Sequence, residues 1–343
     1  MLLNSPGPHD HVRIRQPYAA LQQLGLDCRI HERPFLFSQC IRPESLVIWQ
    51  RPLPESRQRM WEHLQWLRER QCLLLVDWDD HPDLFPPTIQ RALQDMAMAP
   101  LTFCHGILTS SPWLSTALRA YNPLSLCLDN GITSPAALNL NKHKRSSSAT
   151  QPMRVLIGNQ NRHEEHQALL EPLLCWLQDD EAVQLVIVGD QGLAKKLPPH
   201  RVERHGLLSY ASFRQLMRSC SLALLPLSER TANRCKTVIK WQECAAESVA
   251  VIGGPELYAL TLPDGVGTWA RSLAEIVPLA RALKRDLLRR CQQVEAAHRA
   301  LANGWRLEDQ SRWHQWVLEQ LWRRRRWLDA ATEERIRRGG DAG

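Results

Sequence analysis

Short apolar runs alternate with amphipathic stretches along this chain, and the alternation limits the fold more than any other feature. The first half contains four such runs, each expected to form a strand: residues 46–49, 73–76, 106–109 and 125–128. Three stretches with helical periodicity lie between them: residues 56–70, 87–98 and 112–120. Strands that are apolar throughout are typical of a parallel sheet with both faces covered. A further helix is predicted at 17–24, and the residues before it make a poor first strand.

A polar, Ser-rich segment at residues 139–152 interrupts this pattern and is expected to be an exposed linker. The alternation then restarts with four apolar runs: residues 153–157, 185–188, 222–225 and 249–252. Helical stretches are predicted at residues 164–177, 210–219, 238–246, 273–283, 287–302 and 308–327. We therefore predict an α/β fold with two Rossmann-like, doubly wound domains, residues 1–138 and 153–305, and a C-terminal helix with a basic tail over 306–343.

The cysteines and histidines follow no common metal or redox motif. The ten cysteines include no CxxC pair, and the thirteen histidines include no HxxxH or HExxH pattern. A zinc ribbon, a thioredoxin-type motif and a zinc-protease site are therefore not expected. The N-terminal residues lack a signal-peptide pattern, and no run of about 18 apolar residues occurs. These features predict a cytoplasmic protein.

The formal net charge of +7 is distributed unevenly. Four consecutive arginines lie near the C-terminus, while the rest of the chain is close to neutral: Arg323, Arg324, Arg325 and Arg326. Binding to nucleic acid is therefore not expected, whereas peripheral contact with the inner face of a membrane through this run stays open. Five tryptophans in the same region are expected to pack in the core on one side of the last helix: Trp305, Trp313, Trp316, Trp322 and Trp327.

Residues 209–258 carry the most informative pattern in the chain: helix, apolar strand, loop, helix, apolar strand and Gly-Gly turn. The loop lies at the carboxyl end of a parallel strand, where open α/β sheets bind ligands. Lys236 and Lys240, spaced i, i+4, are expected on one side of the following helix start, which suits a diphosphate. Glu243, one turn further on, is in position to accept hydrogen bonds from ribose hydroxyls.

Within this segment, Asn233, Lys236, Thr237, Lys240 and Glu243 form the pattern N-x-x-K-[ST]-x-x-K-x-x-E. The pattern resembles the donor-binding domain of GT-B glycosyltransferases, in particular a bacterial branch of the GT4-like group (glycosyl transferases group 1). The resemblance implies two Rossmann-like domains that face a central cleft, with a C-terminal helix packing back on the first. It also implies transfer of a sugar from a nucleoside-diphosphate sugar, with retained configuration and without a metal.

The resemblance extends to three other segments. Gly158 and Arg162 lie in the family's Gly-bearing loop after the first strand of the donor domain, where a cation faces the diphosphate. Gly189 and Asp190 end the segment that is similar to the family's second strand. His81, in a segment that resembles the acceptor-side domain, is a candidate for approaching the transferred sugar. The alternative for His81 is a helix N-cap before Pro82.

Three carboxylates, Asp77, Asp79 and Asp80, follow an apolar run of the first half. Their D-x-D spacing holds a divalent ion in GT-A enzymes. Because they lie away from the donor motif, we expect a strand-end cluster and no metal site. The nucleotide sugar is then a co-substrate, and no cofactor is expected.

One position departs from the family pattern. Many GT4-type enzymes carry two glutamates separated by seven residues; Glu243 matches the second, but Cys235 stands at the first. One possibility is that another group, such as Asn233, takes the role of the first glutamate, with His81 and Lys236 as further catalytic candidates. The alternative is that the chain is a catalytically silent sugar-nucleotide or glycan-binding module. The resemblance implies an acceptor that is a glycan, a lipid or a protein, in cell-envelope or other glycan biosynthesis. A nucleic-acid binder that uses the arginine run is the least favoured alternative.

Overall fold

A computed structural model describes residues 1–3, 7, 10–32, 41–133, 135–146, 151–158 and 162–340. For residues 339 and 340 it describes the backbone only. The chain forms two compact units. Unit 1 consists of Met1–Gly131, Arg234–Thr237 and Leu307–Gly343, and unit 2 of Ile132–Asn233 and Val238–Arg306. The first division therefore falls at Gly131 rather than at the predicted residue 138.

Unit 1 is built on five parallel strands in the order β1-β2-β3-β4-β5. These are β1 Leu2–Leu3, β2 Leu46–Gln50, β3 Leu73–Asp77, β4 Gly106–Thr109 and β5 Ser125–Cys127. The four predicted strands are confirmed, with ends that shift by at most one residue. β1 was not predicted, because two residues are too few to show a pattern. Leu2 also forms an isolated parallel bridge with His31, on the side of β1 away from β2.

The helices of unit 1 cover both faces of this sheet. A π-helical turn at His11–Arg15 leads into α1 Gln16–Gln23, and the others that precede unit 2 are α2 Arg57–Glu69, α3 Pro87–Asp95, α4 Ala99–Thr102 and α5 Pro112–Leu118. Leu74 and Val76 of β3 pack in one apolar cluster, and Leu73 and Leu75 in another. Alternate side chains of a strand point to opposite faces, so the apolar run predicted correctly that both faces are buried.

Unit 2 has six parallel strands in the order β11-β10-β9-β6-β7-β8. These are β6 Met153–Ile157, β7 Val183–Val188, β8 Val202–His205, β9 Leu222–Leu225, β10 Ala250–Gly253 and β11 Thr268–Trp269. The order is that of a doubly wound Rossmann sheet: successive strands are added towards β8 after β6 and towards β11 after β9. The sequence of β8, VERH, does not predict a strand, because three of its four residues are polar.

Unit 2 and the loop that follows β9 contain nine α-helices within the described residues: α6 Asn141–Arg145, α7 His163–Asp179, α8 Gln191–Lys195, α9 Tyr210–Arg218, α10 Thr231–Arg234, α11 Ile239–Ala246, α12 Leu257–Thr261, α13 Ile276–Arg285 and α14 Leu287–Ala302. Short 3-10 turns lie at Pro199–Arg201 and Leu273–Glu275. Val155 and Leu156 of β6 contribute to different apolar clusters, so this sheet is also covered on both faces.

Part of the expected linker is packed into unit 2. Lys142 and His143, in α6, are buried. The Lys142 ammonium donates to the carbonyl of Glu247 over 2.6 Å, and Nε2 of His143 lies 2.9 Å from the carbonyl of Ser248. Burial lowers the pKa of Lys142 to about 8 and that of His143 to about 4. The prediction of an exposed linker is therefore wrong for these residues, while residues 147–150 lie outside the described part.

The chain ends in two helices, α15 Leu307–Arg323 and α16 Arg325–Gly340, which belong to unit 1. The predicted return of a C-terminal helix to the first domain is confirmed. One helix at 308–327 followed by a basic tail was predicted; instead, helical structure continues through the arginine run. None of the helices in the described ranges has both the length and the apolar character needed to cross a bilayer.

Polar contacts attach α16 to unit 1. The Asp329 carboxylate accepts a hydrogen bond from Arg68 over 2.7 Å and lies 3.2 Å from Nε2 of His105. The Arg335 guanidinium donates to the carbonyl of Cys104 over 2.5 Å. Arg335 is thus a structural residue rather than part of a solvated tail.

The prediction that the C-terminal tryptophans pack in the core is wrong for three of them. Trp313, Trp316 and Trp327 are 54%, 51% and 67% exposed. The inward side of α15 instead carries His314, Val317, Leu318 and Leu321. Trp305 is half-buried in unit 2, where its ring meets Trp241 edge-on.

Candidate functional site

The switch point of the sheet in unit 2, between β6 and β9, where the strand order changes direction, defines the candidate site. β6 and β9 are hydrogen-bonded neighbours, and the connections that follow them lead to opposite sides in the strand order. The loops after two such strands separate and leave a crevice at the carboxyl edge of the sheet, where doubly wound folds bind nucleotides. Gly158 and Arg162 follow β6, and Asn233 follows β9.

A buried carboxylate joins these two loops. Glu165 lies in the first turn of α7 and is 5% exposed. It accepts hydrogen bonds from the Ser228 hydroxyl over 2.7 Å and from the Ser228 backbone amide over 3.3 Å. Burial alone would raise the pKa of Glu165, but the bonds from Ser228 and the charge of Arg162 lower it below its usual value. The carboxylate is therefore ionised at neutral pH and fixes the start of the loop after β9.

Arg162 and Asn233, both predicted as site residues, come together beside Glu165. Arg162 Nη1 donates to the Asn233 side-chain oxygen over 2.8 Å and lies 3.5 Å from the Glu165 carboxylate. The Asn233 amide nitrogen donates to the Ser228 carbonyl over 3.0 Å. Asn233 is 2% exposed. These bonds hold a guanidinium and an amide in a defined position at the switch point.

A second group of predicted residues gathers around Phe213 of α9. A Cβ added at Gly158 would lie 2.9 Å from the Phe213 ring, so glycine allows this close approach. The ammonium of Lys240 lies 4.5 Å from the centroid of the same ring, within cation–π range. It also pairs with Glu243 over 2.8 Å. The Lys240 side chain is 34% exposed and that of Glu243 1%, so the lysine lies on the solvent side of the pair.

Gly189 and Asp190 directly follow β7, and Asp190 contacts a residue that the sequence did not single out. Gly189 has a φ of +87°, which favours glycine. Asp190 caps α8 by accepting from the Leu193 amide over 2.9 Å and also holds Nδ1 of His166 at 2.5 Å. Burial lowers the pKa of His166 despite this carboxylate. The only sequence signal for His166 was its place one turn into the helix after the Gly-bearing loop.

Lys236 does not lie where the spacing predicted. α11 begins at Ile239, so Lys236 precedes the helix and Lys240 lies inside it. The prediction that the two lysines share one side of a helix start is therefore wrong. Lys236 belongs to the short segment assigned to unit 1, where its ammonium pairs with Asp80. Arg51 pairs with Asp80 over 2.9 Å as well.

The acidic cluster at the end of β3 is neutralised by cations. Asp77 pairs with the buried Arg13 over 2.5 Å, and Asp79 pairs with Arg51. Burial raises the pKa of Asp77 more than the charge of Arg13 lowers it. Within the described residues, no group of three or more His, Cys, Asp or Glu side chains has a geometry suited to a metal ion.

His81 and Cys235 both have structural contacts in unit 1. Nδ1 of His81 accepts from the Asp83 amide over 3.3 Å and caps the 3-10 turn Pro82–Leu84, the alternative considered for this residue. Cys235 is 4% exposed and packs in an apolar cluster, while its carbonyl accepts from the Ser111 hydroxyl over 2.7 Å. Burial raises the pKa of the Cys235 thiol, which keeps it protonated. It therefore does not replace a carboxylate electrostatically.

No family model matches the sequence, and no curated protein matches it either.

Solved structures are similar over most of the chain. Anabaena HepE, in complex with UDP-glucose, is 13% identical with a TM-score of 0.63, covering 93% of this chain and 99% of that chain. A glycosyltransferase from Rickettsia africae is 12% identical with a TM-score of 0.54, covering 94% and 84% of the two chains. An α,α-trehalose-6-phosphate synthase from Burkholderia multivorans is 12% identical with a TM-score of 0.57, covering 83% and 72%. At these identities the comparisons show the fold, which is that of the GT-B glycosyltransferases.

Proposed function

We propose that this protein is a glycosyltransferase whose unit 2 binds a nucleoside-diphosphate sugar. The observation that carries the proposal is the switch point of the six-stranded sheet, where Glu165 joins the loops that bear Arg162 and Asn233. The GT-B fold supports it, and HepE structures of this fold are in complex with UDP and with UDP-glucose. UDP is therefore the first nucleotide to test.

The residues at the switch point suggest a role for each part of the donor. Gly158 and Phe213 provide a flat apolar surface next to backbone groups, which suits a base. Glu243, held by Lys240, is positioned for ribose hydroxyls once the lysine moves towards phosphate. Arg162 supplies a guanidinium that matches two phosphate oxygens. Gly189 and Asp190 shape the neighbouring loop after β7.

The proposed reaction breaks the bond between the sugar C1 and the diphosphate oxygen and forms a bond from C1 to an acceptor hydroxyl. The hydroxyl proton leaves with a general base, and the diphosphate departs with both bonding electrons. Fixed cations stabilise its developing charge, and such terms are often the largest in catalysis. Arg162 is the proposed cation in unit 2, and Lys236 stays a predicted contributor. The retaining, metal-independent course follows the GT4-like pattern, and the acceptor is a hydroxyl of a glycan, a lipid or a protein.

A thermal-shift screen against UDP, GDP, ADP and CMP tests the donor site. A ligand that binds only the folded protein raises the melting temperature, so we expect one nucleoside diphosphate to stabilise the protein. Arg162→Gln should weaken that binding by about tenfold or more, as expected for loss of a charged hydrogen bond. Arg299→Gln, at an exposed position of α14, is the matched control. Absence of stabilisation by all four nucleotides would contradict the proposal.

A silent binding module is the second candidate function, and the burial of Cys235 in an apolar cluster favours it. A measurement of nucleoside diphosphate release from UDP-glucose and related donors distinguishes the two functions. Turnover above the level of the Arg162→Gln variant supports the enzyme. Tight nucleotide binding without turnover on any donor, with or without oligosaccharide and lipid acceptors, supports the module.

A further inference from the structure

Three tryptophans on the C-terminal helices face outward. Trp313 and Trp316 of α15 are 54% and 51% exposed, and Trp327, in the first turn of α16, is 67% exposed. The rings of Trp313 and Trp316 stack with 5.0 Å between their centroids, so they form one continuous patch. A cluster of large apolar side chains on a surface marks a site of contact.

This patch is not a core face left without a partner. Positions 312, 313, 316 and 323 fall within about 100° of arc around α15 and therefore share one side of the helix. The other side is already buried in unit 1 and carries Ser311, His314, Val317, Leu318 and Leu321. α15 thus has its own apolar stripe for the core and, separately, an exposed aromatic one.

Unpaired cations surround the tryptophans. Four exposed arginines lie along the same stretch, and none pairs with a carboxylate in the part of the chain that the structure describes: Arg312, Arg323, Arg324 and Arg326. The nearby carboxylates of α16 have other partners, since Asp329 and Glu333 pair with Arg68, and Glu334 pairs with Arg337 and Arg338. The positive charge next to the aromatic patch is therefore not neutralised from α16.

Three acidic residues of α15 reduce this charge only locally. Glu308 and Asp309 lie in the first turn, at the end of the helix away from the arginine run. Glu319 is half-buried, and its carboxylate accepts a hydrogen bond from Gln315 over 2.9 Å. The surplus of positive charge is thus concentrated where α15 ends and α16 begins.

We propose that these residues form a docking surface for an anionic lipid bilayer. The Trp–Arg surface comprises Trp313, Trp316, Trp327, Arg312, Arg323, Arg324 and Arg326. Indole rings favour the boundary between headgroups and acyl chains, because one edge is polar and the body is apolar. Arginines next to them gain from the negative potential of an anionic leaflet. The surface lies in unit 1, and the inference does not rest on the proposed sugar transfer.

Charge complementarity selects this occupant over others. Exposed indoles without nearby charge would suit a protein partner or a second copy of the chain. Here unpaired guanidinium groups flank the rings, and a second copy would bring like charges together, which costs free energy. A lipid surface with negative headgroups satisfies the rings and the cations at once.

Co-sedimentation of the full-length protein with sucrose-loaded vesicles tests the proposal. We expect binding to vesicles of phosphatidylglycerol mixed with phosphatidylcholine, weak binding to phosphatidylcholine alone, and loss of binding as salt is raised. The double variant Arg323→Gln/Arg326→Gln should bind about 25-fold more weakly, at roughly fivefold for each cation removed. Trp313→Ala/Trp316→Ala should also weaken binding, by about tenfold.

Matched controls come from the same unit. Arg91→Gln/Arg119→Gln removes two exposed arginines outside the surface, and Trp113→Ala removes a tryptophan that is 52% exposed. Both should bind anionic vesicles like the unchanged protein. Equal loss in the controls, equal binding to both vesicle types, or no binding at all would overturn the proposal. A dimer in light scattering that becomes monomeric in Trp313→Ala/Trp316→Ala, without vesicle binding, would assign the surface to a second copy instead.

Discussion

Ser228 donates two hydrogen bonds to the Glu165 carboxylate, one from its hydroxyl and one from its backbone amide. The two residues are 63 positions apart in the sequence, and they follow adjacent strands at the switch point of the second sheet. A buried ionised carboxylate is stable only where several donors face it, and here those donors belong to the loop that carries Asn233. The geometry of the candidate donor site therefore depends on one carboxylate that does not itself need to touch the donor.

Glu165→Gln tests this dependence. The amide keeps the size of the side chain and an oxygen for the donors Ser228 and Asn233, but it removes the negative charge that faces Arg162 and weakens these hydrogen bonds, so the loop after β9 should be held less firmly. We expect nucleotide affinity to fall by about tenfold, as for a broken charged hydrogen-bond network. Glu164→Gln is the matched control, because Glu164 is exposed and pairs only with Arg230 among the partners described. Equal affinities of the two variants would show that Glu165 has no positioning role.

Gly158→Ala probes the contact with Phe213. A Cβ at 2.9 Å from the ring forces Phe213 to move, and the surface proposed for the base should be displaced. We expect weaker nucleotide binding with a melting temperature that changes by only a few degrees. Gly206→Ala serves as the control, since a Cβ there meets no atom within 4 Å. Unchanged calorimetric affinity in Gly158→Ala would remove this residue from the site.

Lys236→Ala tests the residue that the structure places beside Asp80. If Lys236 stabilises the departing diphosphate, turnover should fall by about 100-fold, the usual effect of removing one fixed stabilising group. The exposed Lys195 provides a control, Lys195→Ala, in α8. Turnover is measured as nucleoside diphosphate released over time. A rate within a factor of about two of the unchanged protein would leave Lys236 with only its ion pair in unit 1.

Buried His143 makes the stability of unit 2 sensitive to acid. Its pKa is about 4 in the folded protein, below the ordinary value of 6.5, because burial disfavours the charged ring. Between these values the unfolded chain binds more protons, so the free energy of unfolding falls as pH is lowered through this window. Between about pH 7 and about pH 5, the free energy of unfolding of His143→Asn should therefore fall by about 2 kcal/mol less than that of the unchanged protein.

Urea unfolding followed by circular dichroism at the two pH values measures this difference. His200→Asn is the control, because His200 is exposed and its substitution should leave the pH dependence as it was. An equal fall in stability for His143→Asn and the unchanged protein would mean that His143 does not titrate as described.

Local pattern predicted most of the two sheets. β9 is apolar at every position and β3 at every position but its last, Asp77, because helices cover both faces, and that composition is visible in the sequence alone. β1 and β11 have two residues each, and their pairing depends on neighbours far away in the chain. The sequence does not predict α16, because Arg-rich sequence suggests solvent exposure, whereas Arg335 and Asp329 have partners on α4 and α2.

The motifs in the sequence predicted part of the candidate site. Arg162 and Asn233 were both named, and they form a hydrogen bond. Glu165 and His166 were not named as site residues, because their partners Ser228 and Asp190 are distant in sequence and no local signal connects them. Lys236 shows the converse limit, since a spacing of four residues suggests a shared helical face only when the helix has already begun.

The contacts of α16 have a practical consequence for anyone who shortens this protein. Removing the last twenty or so residues would leave His105 and Arg68 without the Asp329 carboxylate, and the Cys104 carbonyl without Arg335. Uncompensated buried polar groups promote misfolding and aggregation. An affinity tag is therefore better fused to the opposite terminus through a spacer, and an insoluble C-terminal deletion would say nothing about catalysis.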